Sequence, residues 1–310
     1  MKRLLSLRAV LVTGKGGVGK TTVAASIAKY AAAQGKRVLC AEMVGGGENA
    51  RAEVTSALAQ ALGRKDLDDQ PVDIAPNLRA VALSPALGHQ KFLRDVLPMR
   101  LLADAAMRSG AIRRFLSAAP TFPEMGVLYR MLELVRQTRR DGSFEHDLLV
   151  VDLPATGHAL ALAQIPASLL RVIPTGPIAT AVREGLALLQ DPTCTGSVVV
   201  TLPETLPISE AIELCTGIEQ HKIPLATVFV NRVPYDPFSD EEREAVRTML
   251  DGKPPTLGER TMERIDRSRV ALARISAAVR APIVALQDVF LEGSKLTDEV
   301  ALLMDSAGPA

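Results

Sequence analysis

The chain has 310 residues, of which 47% are hydrophobic and 23% charged, and its formal net charge is +1. Such a balance supports a large buried core and excludes wholesale disorder; with 3% aromatic residues and no Trp, it offers neither an electrostatic case for nucleic acid nor a base-stacking platform. Three scattered cysteines, Cys40, Cys194 and Cys215, write neither a disulfide framework nor a paired C-x-x-C zinc site, which points to a reducing, cytoplasmic compartment.

The first five residues, Met1-Lys2-Arg3-Leu4-Leu5, have the charge pattern of a leader, but the apolar run at 9–13 is short and reads as a core strand. It leads into Gly14-Lys15-Gly16-Gly17-Val18-Gly19-Lys20-Thr21-Thr22 and then a helical pattern over 21–33. Strand, glycine-rich loop and helix at the spacing G-x-x-x-x-G-K-T form a phosphate loop. Its glycines let backbone N–H groups close around phosphate oxygens, and the helix presents its positive end to the same anion. Lys20 is placed for the β- and γ-phosphates and Thr21 for Mg²⁺, so ATP and Mg²⁺ are the expected cofactors. Lys15 is a second lysine that an ordinary phosphate loop does not need. The string from Lys15 to Thr22 resembles the deviant Walker A class, and the resemblance implies that Lys15 reaches the nucleotide of a facing subunit in a dimer, homomeric or heteromeric.

Further short apolar runs, each suited to a strand buried on both faces, occur at 37–43, 78–83, 147–152, 197–201, 226–230 and 282–286. They alternate with helical patterns, which predicts an α/β fold with a doubly wound, mostly parallel sheet over residues 1–310 as one domain. Ligands of such sheets bind beyond the carboxyl ends of the strands, where the phosphate loop sits. Residues 84–140 break the alternation and read as an α-helical insertion. Val127, Leu128, Met131, Leu132 and Val135 share one helical face, Phe92, Leu93, Val96 and Leu97 suggest a second helix, and Ile112, Phe115 and Leu116 a third. With Met99, Met107, Met125 and Met131 these faces suit either an adaptable apolar groove or plain packing.

The strand at 147–152 ends in Asp152, beside the phosphate loop in such a sheet, where an acid holds Mg²⁺ or its water. Asp152-Leu153-Pro154-Ala155-Thr156-Gly157-His158 follows as a loop in which Gly157 permits close approach to the γ-phosphate. His158 reads equally as a switch or a packing residue. The uncharged stretch 153–170 is long enough for a bilayer but carries Pro154, Gly157, His158, Gln164 and Pro166, and reads as a mobile loop and a buried helix. The tail at 306–310 reads as frayed.

These strings, with Val200-Thr201-Leu202-Pro203-Glu204, resemble the anion-transporting (arsenite-pump) ATPase family, which includes the targeting factor for tail-anchored membrane proteins. The resemblance covers most of the chain. It implies a nucleotide-controlled Mg²⁺-ATPase dimer with an apolar client or membrane-protein partner, cytoplasmic or peripheral to the membrane, and an adenine contact at Asn231, within Val228-Phe229-Val230-Asn231-Arg232. Two departures stand out. Val44 falls where the family has its water-orienting Asp, leaving Glu42, on the Mg²⁺ side, and Glu48 as substitutes and implying slow hydrolysis. Neither a zinc clasp nor a cysteine trio close in sequence is present, which disfavours metalloid binding, and Cys194 and Cys215 read as buried packing residues. Two alternatives stay open: a partitioning or positioning ATPase of the same class acting on DNA or membrane, and an ATP-binding module with little or no turnover. The mixed charge of the last helical pattern, 291–304, speaks against the first.

Overall fold

The computed structural model describes residues 1–43, 56–84, 88, 91, 122–154, 157–172, 174–251 and 257–306. Among the described residues eight strands form one sheet: β1 (Ala9–Gly14), β2 (Val38–Met43), β3 (Val72–Ala75), β4 (Leu78–Leu83), β5 (Leu148–Asp152), β6 (Thr195–Thr201), β7 (Leu225–Val233) and β8 (Ile283–Gln287). Their order is β3-β4-β2-β5-β1-β6-β7-β8, and every pair is parallel except β3 with β4. All seven strands expected from apolar runs are present. β3 was not expected. It has four residues, half of them exposed, and Asp73 interrupts it, as suits the edge of a sheet. Asn77, at φ 60°, turns it back into β4.

Alternation within each strand feeds two cores. From β1, Val10 and Val12 point to one face, covered by α2 (Lys20–Ala33) and α10 (Gly293–Ser306). Ala9 and Leu11 point to the other, where α4 (Phe122–Arg136), α5 (Gly157–Val172) and α6 (Pro177–Gln190) contribute side chains. Further along that sheet, Val199, Val228 and Val230 pack under α7 (Thr205–Gln220) and α9 (Leu257–Ala278). The remaining described helices are α1 (Lys2–Ser6), α3 (Ala57–Ala61) and α8 (Asp240–Leu250).

The helix after the phosphate loop is rich in Ala, the best helix former, and these small side chains are buried almost all round it. The buried Ser26 hydroxyl donates to the carbonyls of Thr22 (2.8 Å) and Thr297 (3.0 Å), and Thr297 Oγ1 donates to the Ala61 carbonyl at 2.7 Å. That chain of bonds ties α2 to α10 and α3 and fixes the element carrying Lys20 and Thr21.

Of the expected insertion at 84–140, α4 is helical and ends at Arg136; residues 138 and 144 form a bridge around a turn at Gly142. Its expected apolar face is buried, and Met125 and Met131 pack with it against Leu149 and Val151 of the sheet. This face is core. The proposed helices around 92–97 and 112–116 lie outside the described residues, as does the tail at 307–310. α5 corrects the expectation of a buried helix: Leu162 and Pro166 are buried, but Gln164, Ala167, Ser168 and Arg171 are exposed. Among the described residues no helix is long and apolar enough to cross a membrane. Cys40 and Cys215 are buried free thiols; Cys194, expected to be buried, is only half-buried.

Candidate nucleotide site

The phosphate loop joins the end of β1 to the start of α2, and two of its glycines lie against close neighbours. Gly14 has φ 149°, and a Cβ there would lie 2.2 Å from the Val200 carbonyl oxygen of the neighbouring β6. Gly19 has φ 91°, and a Cβ there would lie 2.3 Å from Asn231 Nδ2. Around Gly16 and Gly17 there is open space, so the middle of the loop can admit an anion to its backbone. Val18 is buried in the core and staples the loop to the sheet.

Asn231, at the carboxyl end of β7, is 6% exposed and donates from Nδ2 to the Val18 carbonyl at 3.0 Å. The residue singled out for an adenine contact thus also braces the phosphate loop. Arg232 follows it at φ 56°, a conformation uncommon for a side chain of that size. It lines a cleft of about 830 Å³ with Leu202, Pro203 and Asp288, at the carboxyl ends of β6, β7 and β8.

Lys20 Nζ donates to the Lys15 carbonyl at 2.8 Å, and burial lowers its pKa against the opposing pull of Asp152. Thr21 Oγ1 donates to Asp152 Oδ2 at 2.6 Å, joining residues 131 apart in sequence. Asp152 is 6% exposed, and its other oxygen, Oδ1, is buried without a partner. Burial pushes this carboxyl up to about 6; the Thr21 hydroxyl opposes that shift, Glu42 adds to it and Lys20 opposes it. A buried carboxylate with an unused oxygen, hydrogen-bonded to a hydroxyl at a helix start, fits a divalent cation. The donor chemistry suits Mg²⁺, which takes one or two protein oxygens and completes its shell with water and phosphate. The residues present therefore fit both expected cofactors.

Glu42 lies directly across from Asp152 on β2. Its carboxylate accepts from the Ser56 hydroxyl and from the Leu58 N–H (3.2 Å), at the start of α3. It stands beside the metal-side acid but is engaged in holding α3. Thr22 sits in the first turn of α2, and Gly157 opens α5. Lys15 is ion-paired to Glu210 of α7. The structure thus gathers Gly14 to Thr22, Glu42, Asp152 and Asn231 around the loop. Val44, Glu48, Ala155 and Thr156 lie outside the described residues, as does the side chain of His158.

Three partners were not foreseen: Ser56, Glu210 and the Val200 carbonyl. Ser56 has an N-cap signal, a hydroxyl residue before a helix. Glu210 looks like any exposed helix acid, and its partner is 195 residues away.

The family model described as anion-transporting ATPase matches residues 7–175. ATPase BagA of Mycobacterium tuberculosis is 29% identical over 235 residues, which cover 74% of this chain and 66% of that protein. The arsenical pump-driving ATPase of Escherichia coli is 30% identical over 167 residues, 53% of this chain and 26% of that protein. ATPase ASNA1 homolog 2 of Paramecium tetraurelia is 26% identical over 161 residues, 52% of this chain and 45% of that protein. The chain thus spans just under two thirds of the mycobacterial relative and smaller shares of the other two. The family match covers more than half of the chain and contains the phosphate loop, Glu42, Asp152 and Gly157, so the chain belongs to the anion-transporting ATPase family.

Proposed function

We propose that this protein binds and hydrolyses ATP with Mg²⁺, as one unit of residues 1–310, and that nucleotide controls a dimer and a client-binding helical segment within residues 84–140. The observation that carries the reading is the Thr21–Asp152 hydrogen bond with its buried, unpartnered Oδ1, set at the mouth of a loop whose glycines leave an open cradle.

In this reading the backbone N–H groups of residues 16–20 and the start of α2 hold the phosphates. Lys20 exchanges the Lys15 carbonyl for phosphate oxygens, a favourable trade because a desolvated ammonium gains more from an anion than from a neutral acceptor. Thr21 and Asp152 would hold Mg²⁺, which supplies positive charge between the phosphates. Asp152 then stays ionised, because the cation offsets the burial that otherwise raises its pKa. The cleft beside Asn231 and Arg232 receives the nucleoside end. Loss of the γ-phosphate releases the loop that runs from Asp152 to Gly157, and α5 follows. Lys15 contacts the phosphates of the facing subunit.

Water activation is the step with the thinnest residue set. Glu42 is near, but Ser56 and Leu58 already occupy its oxygens. Slow turnover follows, and a module that holds ATP without hydrolysing it is the second reading, favoured by that same engagement. The name of the Escherichia coli relative mentions an arsenical pump, yet the three cysteines here are free and no cluster of three or more metal-ligating side chains exists among the described residues. No anion is proposed as cargo.

The test is a titration of ATP with Mg²⁺ followed by a phosphate-release assay on wild type and Lys20→Ala. Micromolar-range binding with measurable release, both lost in Lys20→Ala, supports the hydrolase. Binding without release supports the module, and equal binding by both proteins overturns the site.

A further inference from the structure

Lys15 is the one lysine of the loop whose proposed partner lies in another subunit, and in this structure it is already taken. Its Nζ pairs with Glu210 Oε1 on α7. The two side chains are 48% and 26% exposed, and Glu210 Oε2 is buried with no hydrogen-bond partner. Lys15 is the sole cationic partner of that carboxylate among the described residues. Its backbone is held as well, since its carbonyl accepts from Lys20.

A single ammonium that turns outward to a phosphate across a subunit interface must leave Glu210. The carboxylate then stays half-buried, with one oxygen already unsatisfied and no cation beside it. The intramolecular pair therefore competes with the intermolecular contact. α7 is a firm anchor for the competing acid, because Ile208, Ala211 and Leu214 on either side of Glu210 are buried in the core shared with β6, β7 and α9.

We propose that Glu210 is a latch on Lys15, a carboxylate that holds this lysine against its own subunit and so lowers the affinity of the ATP-bound dimer. The proposal rests on the reading of the site given above and adds a regulatory residue to it. A symmetric dimer breaks two such pairs. A solvent-exposed ion pair alters an equilibrium by roughly 1.4- to 5-fold, so neutralising the acid should tighten the dimer by roughly 2- to 30-fold.

The experiment is analytical ultracentrifugation of the full chain with a non-hydrolysable ATP analogue and Mg²⁺, comparing wild type, Glu210→Gln, Lys15→Ala and the double variant. Glu210→Ala serves as a second neutral replacement, and denaturant midpoints report that each variant is folded. The expected result is a tighter dimer for both Glu210 variants, a weaker one for Lys15→Ala, and no effect of Glu210→Gln once Lys15 is absent. If wild type dimerises and Glu210→Gln dimerises equally or more weakly, the latch fails while the dimer reading stands. A Glu210→Gln effect that persists without Lys15 also overturns it, since the acid would then act through the surface of α7. If neither wild type nor Glu210→Gln dimerises with bound analogue, the dimer reading and the latch fall together. A wild type that stays monomeric while Glu210→Gln dimerises is the outcome of a strong latch.

Discussion

Replacing Gly19 by Ala tests whether Asn231 holds the phosphate loop in shape. The new Cβ would sit 2.3 Å from Asn231 Nδ2, so the amide must move and its bond to the Val18 carbonyl is lost. An unsatisfied buried carbonyl costs about 1–3 kcal/mol. Holding a non-glycine residue at φ 91° adds about 1–2 kcal/mol. The sum, about 2–5 kcal/mol, is a large share of the 5–15 kcal/mol typical of a folded domain. Asn231→Ala alone should cost about 1–3 kcal/mol through the same orphaned carbonyl. In the double variant the carbonyl is orphaned once and the clash is gone, so the two effects should fall short of additivity by about 1–3 kcal/mol. Urea unfolding of the four proteins gives the cycle, and titration with a fluorescent ATP analogue shows whether loop shape and affinity fall together. Strict additivity, or an Asn231→Ala protein with wild-type stability and nucleotide affinity, would refute the bracing role.

Three further outcomes are expected. Val44→Asp should raise phosphate release by about tenfold or more, equivalent to about 1.4 kcal/mol of barrier; an unchanged or lower rate would show that another acid already positions water. Two buried groups should oppose each other on acidification from pH 6.5 towards 4: burial pushes His146 down to about 4 from its ordinary 6.5, so the unfolded chain takes up that proton first and stability is lost, while Asp152, pushed up to about 6, takes up its proton first in the folded chain and offsets part of the His146 loss. The His146 loss is up to about 3 kcal/mol, and His146→Asn should remove it, leaving a later loss as Asp147, held down at about 2 chiefly by hydrogen bonds from Arg37, protonates between 3.8 and 2. A His146→Asn protein with the same acid profile between pH 6.5 and 4 would contradict the assignment. Hydrogen exchange with ATP, ADP and no nucleotide should show protection changes within residues 84–140, and changes confined to the phosphate loop and residues 152–158 would make that segment a static part of the core.

What the sequence reveals and what it conceals divide along contact range. The seven expected strands were legible because strands buried on both faces are continuous apolar runs, and β1 is buried at all six positions. The strand–loop–helix at 9–33 was legible because its pattern is local: glycine, lysine and threonine stand at fixed offsets between an apolar run and an Ala-rich helix. Asp152 could be placed because a strand end is a position in a known topology. β3 was missed because a short, half-exposed edge strand carries little apolar signal. The apolar face of α4 was seen, but not what it packs on, since the same periodicity serves a groove or a core. The engagements of Glu42 by Ser56, of Lys15 by Glu210 and of Val18 by Asn231 join residues 14, 195 and 213 positions apart. Nothing in the local composition marks such pairs, because each depends on which helix the sheet order brings to the mouth of the loop.

The proposed function depends above all on Asp152 and Thr21 forming the cation side of a nucleotide site. Its most direct test is the Mg²⁺ dependence of ATP affinity, measured by calorimetric titration with Mg²⁺ and with a chelator, in wild type and in Asp152→Asn. Mg²⁺ should tighten ATP binding to wild type at least about tenfold, a difference of about 1.4 kcal/mol, and Asp152→Asn should lose most of this gain while still binding ATP through Lys20. An Asp152→Asn protein with the full Mg²⁺ effect, or a wild type indifferent to Mg²⁺, would contradict it.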